Sequence, residues 1–425
     1  MTQSLERESR FKLEATPITF GPGSAEEAGW ELKRLRATRV MLLTDPGVAR
    51  AGIANSLRDI IEAEGIGCEV FDRVKVEPSL ASMQEAADFA AAGGFDGFVG
   101  VGGGSSLDTA KVANLVATHP APVMEYIFPP VGQGRRPPSS LKPFLAVPTT
   151  AGTGSEATTI AVMDLPDLRT KAAVSHRFLR PDHGIVDPLL TTSMPSDVTA
   201  ACGLDVACHA VESFTAKPFH ARPAPGSPDK RPPFQGANPV SDLWASTALE
   251  YAGTYLRRAV ADGEDVEARG YMMLGASIAG IGFGSAGTAI PHACSYPISS
   301  LRHEFRSAGY PDEPFVPHGF AVIVTAPAAF RFTYPADPEK HRRAAEFLVG
   351  KPLPDADEDT LPDVLIALMK DVGAPSGLRE LGYGEDDLEG LVSGALKQQR
   401  QLAIAPREAG PDDLADIFRE SMRNW

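Results

Sequence analysis

The stretch GFVGVGGGSSLDTAK, residues 97–111, decides the fold. An apolar run from Phe98 to Val101 passes through Gly102, Gly103 and Gly104 into a segment, 105–119, that reads as helix. Strand, glycine turn and helix in that order make one step of a β-α-β alternation, and the same step occurs twice upstream. RVMLLTD (39–45) reads as a buried strand, followed by a stretch to Gly65 in which Ile53, Leu57, Ile60 and Ile61 recur at helical spacing. GCEVFD (67–72) is the next strand and SLASMQEAADFAAAG (79–93) its helix. Such alternation implies a parallel sheet with helices on both faces and ligands at the carboxyl ends of the strands.

The glycine turn suits a phosphate. Without side chains at Gly102, Gly103 and Gly104, backbone amides can approach phosphate oxygens, and a helix N-terminus adds partial positive charge. The spacing departs from G-x-G-x-x-G because Ser105 stands where the final glycine would fall. Ser105 with Asp108 three residues later makes an N-cap arrangement. PTTAGTGSE (148–156) offers hydroxyls from Thr149, Thr150, Thr153 and Ser155 to phosphate or ribose. Asp45 ends the first strand, where a carboxylate accepts from both ribose hydroxyls and repels a 2′-phosphate, favouring NAD over NADP. Taken singly, each stretch has a plain alternative: a tight turn without ligand, a polar loop and a turn-forming Asp-Pro.

Downstream, a Pro-, Gly- and Ser-rich loop (126–143) leads to short apolar runs at 161–164, 172–175 and 184–187, a hairpin and a strand at the sheet edge. Beyond residue 196 helical periods take over. The expected architecture is an α/β nucleotide-binding domain with a parallel sheet, residues 1–196, then an all-α metal-binding and substrate domain, residues 197–425. A Pro-rich excursion (217–239) interrupts the second part.

That second part carries GLDVACHAVES (203–213), where Asp205 and His209 stand four residues apart and share a helix face. With His292 in AIPHACSYP and His318 in FVPHGF they could form a three-histidine, one-carboxylate shell for Fe(II), Zn(II) or a similar ion. A D-x-x-x-H pair also arises by accident on amphipathic helices, so the pair alone decides nothing. Four cysteines without a C-x-x-C pair read as buried thiols, and Cys208 and Cys294 stay outside the shell.

Composition narrows the function. At 425 residues, two domains are the default, and 43% hydrophobic with 22% charged residues is typical of a globular enzyme. A formal charge of −15 opposes nucleic acid and anionic membranes as partners. Without a run of about 18 apolar residues or a signal-like start, a cytoplasmic protein is expected.

In this order and separation, GGGSSLDTAK, PTTAGTGSE, GLDVACHAVES, PHACSYP and VPHG resemble the iron-containing (group III) alcohol dehydrogenase family, from about Phe20 to the C-terminus. RVKVEPS, SLKPFLAVPTT, RPPFQGANPVSDLWA, AGIGFG and ACSYPIS look most like its hydroxyacid-oxoacid transhydrogenase branch. That branch is implied to use tightly held NAD to move hydride from 4-hydroxybutyrate to 2-oxoglutarate, giving succinic semialdehyde and 2-hydroxyglutarate.

The resemblance further implies an architecture shared with dehydroquinate synthase, and Fe(II), with Zn(II) also accepted. It implies small-molecule alcohol, hydroxy-acid, aldehyde or oxo-acid substrates and a homodimer. Carried onto this chain, the metal ligands are Asp205, His209, His292 and His318. The cofactor contacts are Asp45, Gly102, Gly103, Gly104, Ser105, Asp108, Thr149, Thr150 and Lys171, and Thr153 joins them from the hydroxyl-bearing loop.

Two positions depart from the family. Tyr296 stands where many members carry a proton-relaying histidine, and a phenol keeps its proton at neutral pH. It remains a substrate-orienting group among the expected catalytic residues. Glu77-Pro78 replaces Asn-Pro beside the nicotinamide. Arg222, Lys230 and Arg231 on the Pro-rich excursion are candidate cations for a carboxylate substrate, whereas His220 and His303 read as surface or packing histidines. The competing readings are an alcohol dehydrogenase or maleylacetate-reductase-like enzyme with exchangeable cofactor, and a dehydroquinate-synthase-like lyase.

Overall fold

The computed structural model describes residues 7–129, 131–168, 170–301 and 304–425; His303 lies outside them. Six strands form one parallel sheet: β1 (Ile18–Phe20), β2 (Arg39–Leu43), β3 (Gly67–Phe71), β4 (Gly97–Gly102), β5 (Phe144–Pro148) and β8 (His183–Val186). Their order is β1-β8-β5-β4-β2-β3, and β6 (Ile160–Leu165) and β7 (Thr170–Ser175) pair separately as an antiparallel hairpin.

Every residue of β4, β5 and β8 is buried, as continuous apolar runs in a doubly covered sheet require. Side chains alternate between two cores. Val40, Leu42, Val99, Val101, Leu145 and Val147 face one, and Met41, Leu43, Phe98, Phe144 and Ala146 face the other. The run at 184–187 departs from expectation: β8 lies inside the sheet, not at its edge. The edge on that side belongs to β1, three residues too short to announce themselves by periodicity.

The strand order sets the ligand site. Reading β3-β2-β4-β5-β8, the chain runs outward in both directions from the β2/β4 pair, which makes that pair the topological switch point. Their carboxyl ends carry Asp45 and the glycine turn. The helix Gly104–Thr118 starts at Gly104 with Gly103 as N-cap and no side-chain cap, so the expected Ser105 cap does not form.

By internal contacts the chain forms two compact units, Ala15–Pro195 with Gly263–Ser277, and Met1–Glu14 with Ser196–Asp262 and Ile278–Trp425. A single division at residue 196 therefore omits two exchanges: the N-terminal residues group with the helical unit, and 263–277 with the sheet. Among the described residues the second unit is helical, with only isolated bridges such as Pro218 to Ala237. Among the described residues no single helix is long and apolar enough to cross a membrane.

The helix Ser196–Thr215 is the centre of the second unit, buried from Gly203 through Thr215. A short helix, His318–Ile323, lies so close to it that a Cβ on Gly319 would sit 1.8 Å from the Ala201 carbonyl oxygen. That contact fixes the start of the helix bearing His318. Gly319→Ala should destabilise the protein by about 1–3 kcal/mol. Urea unfolding measures this, and an unchanged midpoint would rule out the close helix approach.

Candidate functional site

Helical spacing puts Asp205 and His209 side by side, with His209 Nδ1 3.8 Å from Asp205 Oδ2. The helix Ile290–Leu301 adds His292, whose Nε2 lies 3.5 Å from Asp205 Oδ1. Ligand atoms of these three buried residues lie within 4.8 Å of one another. His318 stands at the rim: its Nε2 is 3.8 Å from Asp205 Oδ1, and its side chain is 30% exposed against 3% for Asp205. The His209 ring is stacked between Phe283, at 4.1 Å, and His292, at 4.5 Å, which fixes its plane.

The cluster fits a cation. Asp205 Oδ1, His209 Nδ1 and His292 Nε2 are buried and have no hydrogen-bond partner. Three such atoms converging on one place are costly unless something satisfies them. One anionic oxygen and two imidazole nitrogens together suit a divalent transition metal. Burial alone would raise the Asp205 pKa, but His209, His318 and His292 outweigh it and hold the carboxyl well below its usual range. His209 is driven down to about 3 by burial, with Asp205 offsetting only part, so its ring is neutral.

Sequence reasoning missed the group that organises this centre. Glu212 is fully buried and accepts from His292 Nδ1, which turns Nε2 toward Asp205. Its Oε1 also accepts from the backbone amides of Ala289, at 2.9 Å, and His292, at 3.2 Å. One carboxylate thus caps the 290–301 helix and orients its ligand. Burial opposes a charged His292 ring, yet Glu212 and Asp205 prevail and lift its pKa to about 10; a cation bound there must displace that proton. The signal was present, since Glu212 follows Asp205 by seven residues and His209 by three on the same helix face. Cys208 and Cys294 are buried thiols whose pKa burial pushes up, in keeping with their exclusion from the shell.

In the other unit the expected cofactor residues gather at the carboxyl ends of β2, β4 and β5. The Thr149 amide donates to the Gly102 carbonyl at 3.0 Å. Gly102, at φ +143, has no room for a side chain: a Cβ would meet Ser106 Oγ at 2.5 Å. A Cβ on Gly104 would lie 2.7 Å from the Thr153 methyl, and one on Gly103 3.2 Å from that of Thr150. The two motifs therefore dock as backbone against hydroxyl-bearing loop. Asp45 spends Oδ1 on capping Pro46–Arg50 through the Gly47 and Val48 amides, and turns Oδ2 toward Ser106 Oγ, 3.4 Å away.

Two of the expected cofactor residues, Asp108 and Lys171, also have protein partners. Asp108 accepts from Ser155 Oγ (2.6 Å), Lys111 Nζ (3.3 Å) and the Val162 amide (2.8 Å), a strut beneath the loop. Lys171 pairs with Glu77, whose amide donates to Ser105 Oγ at 3.2 Å. Glu77 sits at φ +53, a left-handed conformation uncommon outside glycine. On the Pro-rich excursion, Arg222 and Arg231 both lie 3.2 Å from buried Glu8, while Lys230 is exposed. Their charges hold the excursion to the N-terminal segment.

Comparison with known proteins agrees with this geometry. The iron-containing alcohol dehydrogenase model matches residues 15–188, and the model of that family's C-terminal region matches 234–422. The chain belongs to the iron-containing alcohol dehydrogenase family. It is 42% identical over 419 residues to the mitochondrial hydroxyacid-oxoacid transhydrogenase of Rattus norvegicus, covering 97% of this chain and 90% of the relative. Among solved structures, a 1,3-propanediol oxidoreductase superposes with a TM-score of 0.83 at 29% identity, covering 97% of this chain and all of that one. The sulfoacetaldehyde reductase of Bifidobacterium kashiwanohense, solved with NAD+, has a TM-score of 0.81 at 27% identity, covering 98% and 99%.

The family is one of metal-dependent oxidoreductases acting on small molecules with NAD(H). The cytoplasmic expectation is corrected: the relative's name places it in the mitochondrion. Net charge and hydropathy govern what a folded surface repels, not where a chain is delivered.

Two outcomes follow from the geometry. Glu212→Gln should weaken metal retention by about 10–100-fold, read by chelator competition, because the His292 ring loses the anion that orients it. Gly104→Val should raise the NAD dissociation constant by about tenfold or more, roughly 1.4 kcal/mol, by displacing the Thr153 loop. Fluorescence titration of the NAD-free protein gives that value.

Proposed function

We propose that this protein is a hydroxyacid-oxoacid transhydrogenase, taking hydride from 4-hydroxybutyrate and delivering it to 2-oxoglutarate through an NAD that stays bound. The observation that carries this reading is the 42% identity to such an enzyme across 97% of the chain. Fe(II) is the ion inferred for Asp205, His209, His292 and His318, a shell that also accepts Zn(II). When bound, the divalent ion supplies Lewis acidity toward a hydroxyl or carbonyl oxygen, and NAD supplies the hydride carrier.

The chain's own residues prepare the rest. Asp205 stays ionised and His209 neutral, so both present lone pairs rather than protons. Glu212 holds the His292 Nδ1 proton and leaves Nε2 for the centre. Burial of these groups keeps bulk water from a reacting carbonyl. Gly102, Gly103 and Gly104 present amides to the cofactor phosphates, and Thr149, Thr150 and Thr153 flank them. Asp45 Oδ2 favours an unphosphorylated ribose. Tyr296 orients substrate and does not relay protons.

The test is turnover of 4-hydroxybutyrate by protein purified without added nucleotide. The expected result is NAD(H) released on denaturation, oxidation that depends on 2-oxoglutarate, and no stimulation by free NAD. Turnover that needs added NAD and ignores the oxo acid would overturn the proposal in favour of an ordinary dehydrogenase.

A further inference from the structure

The motifs GGGSSLDTAK and PTTAGTGSE each carry a buried titratable side chain outside the expected cofactor contacts, Lys111 and Glu156. Lys111 lies about two turns into the helix Gly104–Thr118 and is wholly shut off from solvent. Its Nζ donates to Ser155 Oγ at 2.6 Å, to the Ile160 carbonyl at 2.8 Å and to Thr158 Oγ1 at 3.2 Å, with Asp108 Oδ1 3.3 Å away. The three protons of the ammonium are met, and the three nearest acceptors all lie on the segment that leaves the threonine loop. Asp108, one turn earlier on the helix, holds the same segment with the opposite charge, through Ser155 Oγ and the Val162 amide. Glu156 accepts from Ser277 Oγ at 2.6 Å and anchors the loop a second time.

Burying an ammonium is costly, and an apolar side chain of similar length would fill the space without that cost. Burial pushes the Lys111 pKa down, with Asp108 and Glu156 opposing it. What the ammonium adds is direction, since its hydrogen bonds fix where their acceptors stand. The loop needs this. It contains Gly152 and Gly154, the latter at φ +57, so its backbone has many conformations open to it when nothing holds it. The Ser155 amide donates to Thr153 Oγ1 at 3.2 Å, and the Thr153 methyl stands 2.7 Å from where a Cβ on Gly104 would lie. A continuous line of contacts therefore runs from Lys111 through Ser155 and Thr153 to Gly104, where the helix begins.

We propose that Lys111 is a positioning residue for the cofactor: it sets the threonine loop in its NAD-binding shape before NAD arrives, and so governs how slowly NAD leaves. The inference rests on the reading of the glycine turn as the NAD site and on no choice of substrate. A loop that is already ordered loses less entropy on binding, and related complexes differ mainly in how fast they come apart. Asp108 balances the charge of Lys111, so the ammonium acts on the cofactor by placing the loop and not by attracting the diphosphate.

The test uses the full chain with its metal in place, stripped of NAD. Lys111→Met keeps the length of the side chain and removes the charge. Ser155→Ala removes the hydroxyl next in line, with little change of volume, and serves if Lys111→Met does not fold. Binding is measured at a temperature where circular dichroism shows each variant fully folded. Fluorescence titration with NADH should give a dissociation constant raised about 10–100-fold in Lys111→Met, the scale of lost charge-assisted hydrogen bonds. Stopped-flow displacement should place most of that change in the rate of release. The double variant should bind within about twofold of Lys111→Met alone, because both changes break one line of contacts. Turnover of 4-hydroxybutyrate with 2-oxoglutarate at varied NAD separates positioning from general damage. Half-saturation by NAD should rise by the factor seen in binding, while kcat at saturating NAD and metal content stay at the wild-type values. Wild-type affinity for NADH in the folded variants, losses that multiply in the double variant, or a fall in kcat with half-saturation unchanged would overturn the proposal. If the wild type binds no NADH, the reading of the glycine turn fails and the proposal with it. If it binds NADH but turns over no 4-hydroxybutyrate, only the transhydrogenase reading fails, and the binding constants decide the role of Lys111.

Discussion

A single buried carboxylate ties the helical unit together. Glu212 reaches from the 196–215 helix to the first turn of the 290–301 helix, where it accepts two backbone amides and the His292 ring. An anion is favourable there twice over, because a helix N-terminus has amides to satisfy and a partial positive charge. The same contact decides which imidazole nitrogen faces Asp205. Structure and chemistry share one side chain, so the ligand geometry is inherited from helix packing.

The sheet unit follows a different constraint, close approach of backbone. The turn after β4 is made of glycines because the threonine loop occupies the space that side chains would need. Removing that bulk brings amides, a helix N-terminus and hydroxyls to the switch point between β2 and β4. The Lys171–Glu77 pair joins the hairpin to the segment after β3, with Glu77 held in an uncommon backbone conformation. Strain of this kind persists only where surrounding contacts enforce it.

Charges on the helical unit show why residue type is a poor guide to role. Arg222 and Arg231 lie on a loop rich in proline and glycine, and sequence reasoning offered them to a substrate. Both belong to a structural ion cluster around Glu8. Arg400, in a stretch with no motif, has its guanidinium 4.6 Å from the Phe234 ring centroid. Asp108 likewise stands in a cofactor motif yet has its oxygens committed to Ser155, Lys111 and Val162.

Local information was sufficient wherever one element carried the whole pattern. Alternating strands and helices, the glycine turn and the Asp205–His209 pair depend on periodicity and nearest neighbours, and these the sequence determined by itself. Glu212 was legible in the same way, by its spacing along one helix, although only the neighbouring helix shows what it binds. The tertiary structure alone decided the place of β8 within the sheet, the edge strand β1, the exchange of segments between the units, and the pairings of Lys171 and Arg222. Each of these joins residues far apart in the chain, and a buried charge takes its role from whichever distant group the fold sets beside it.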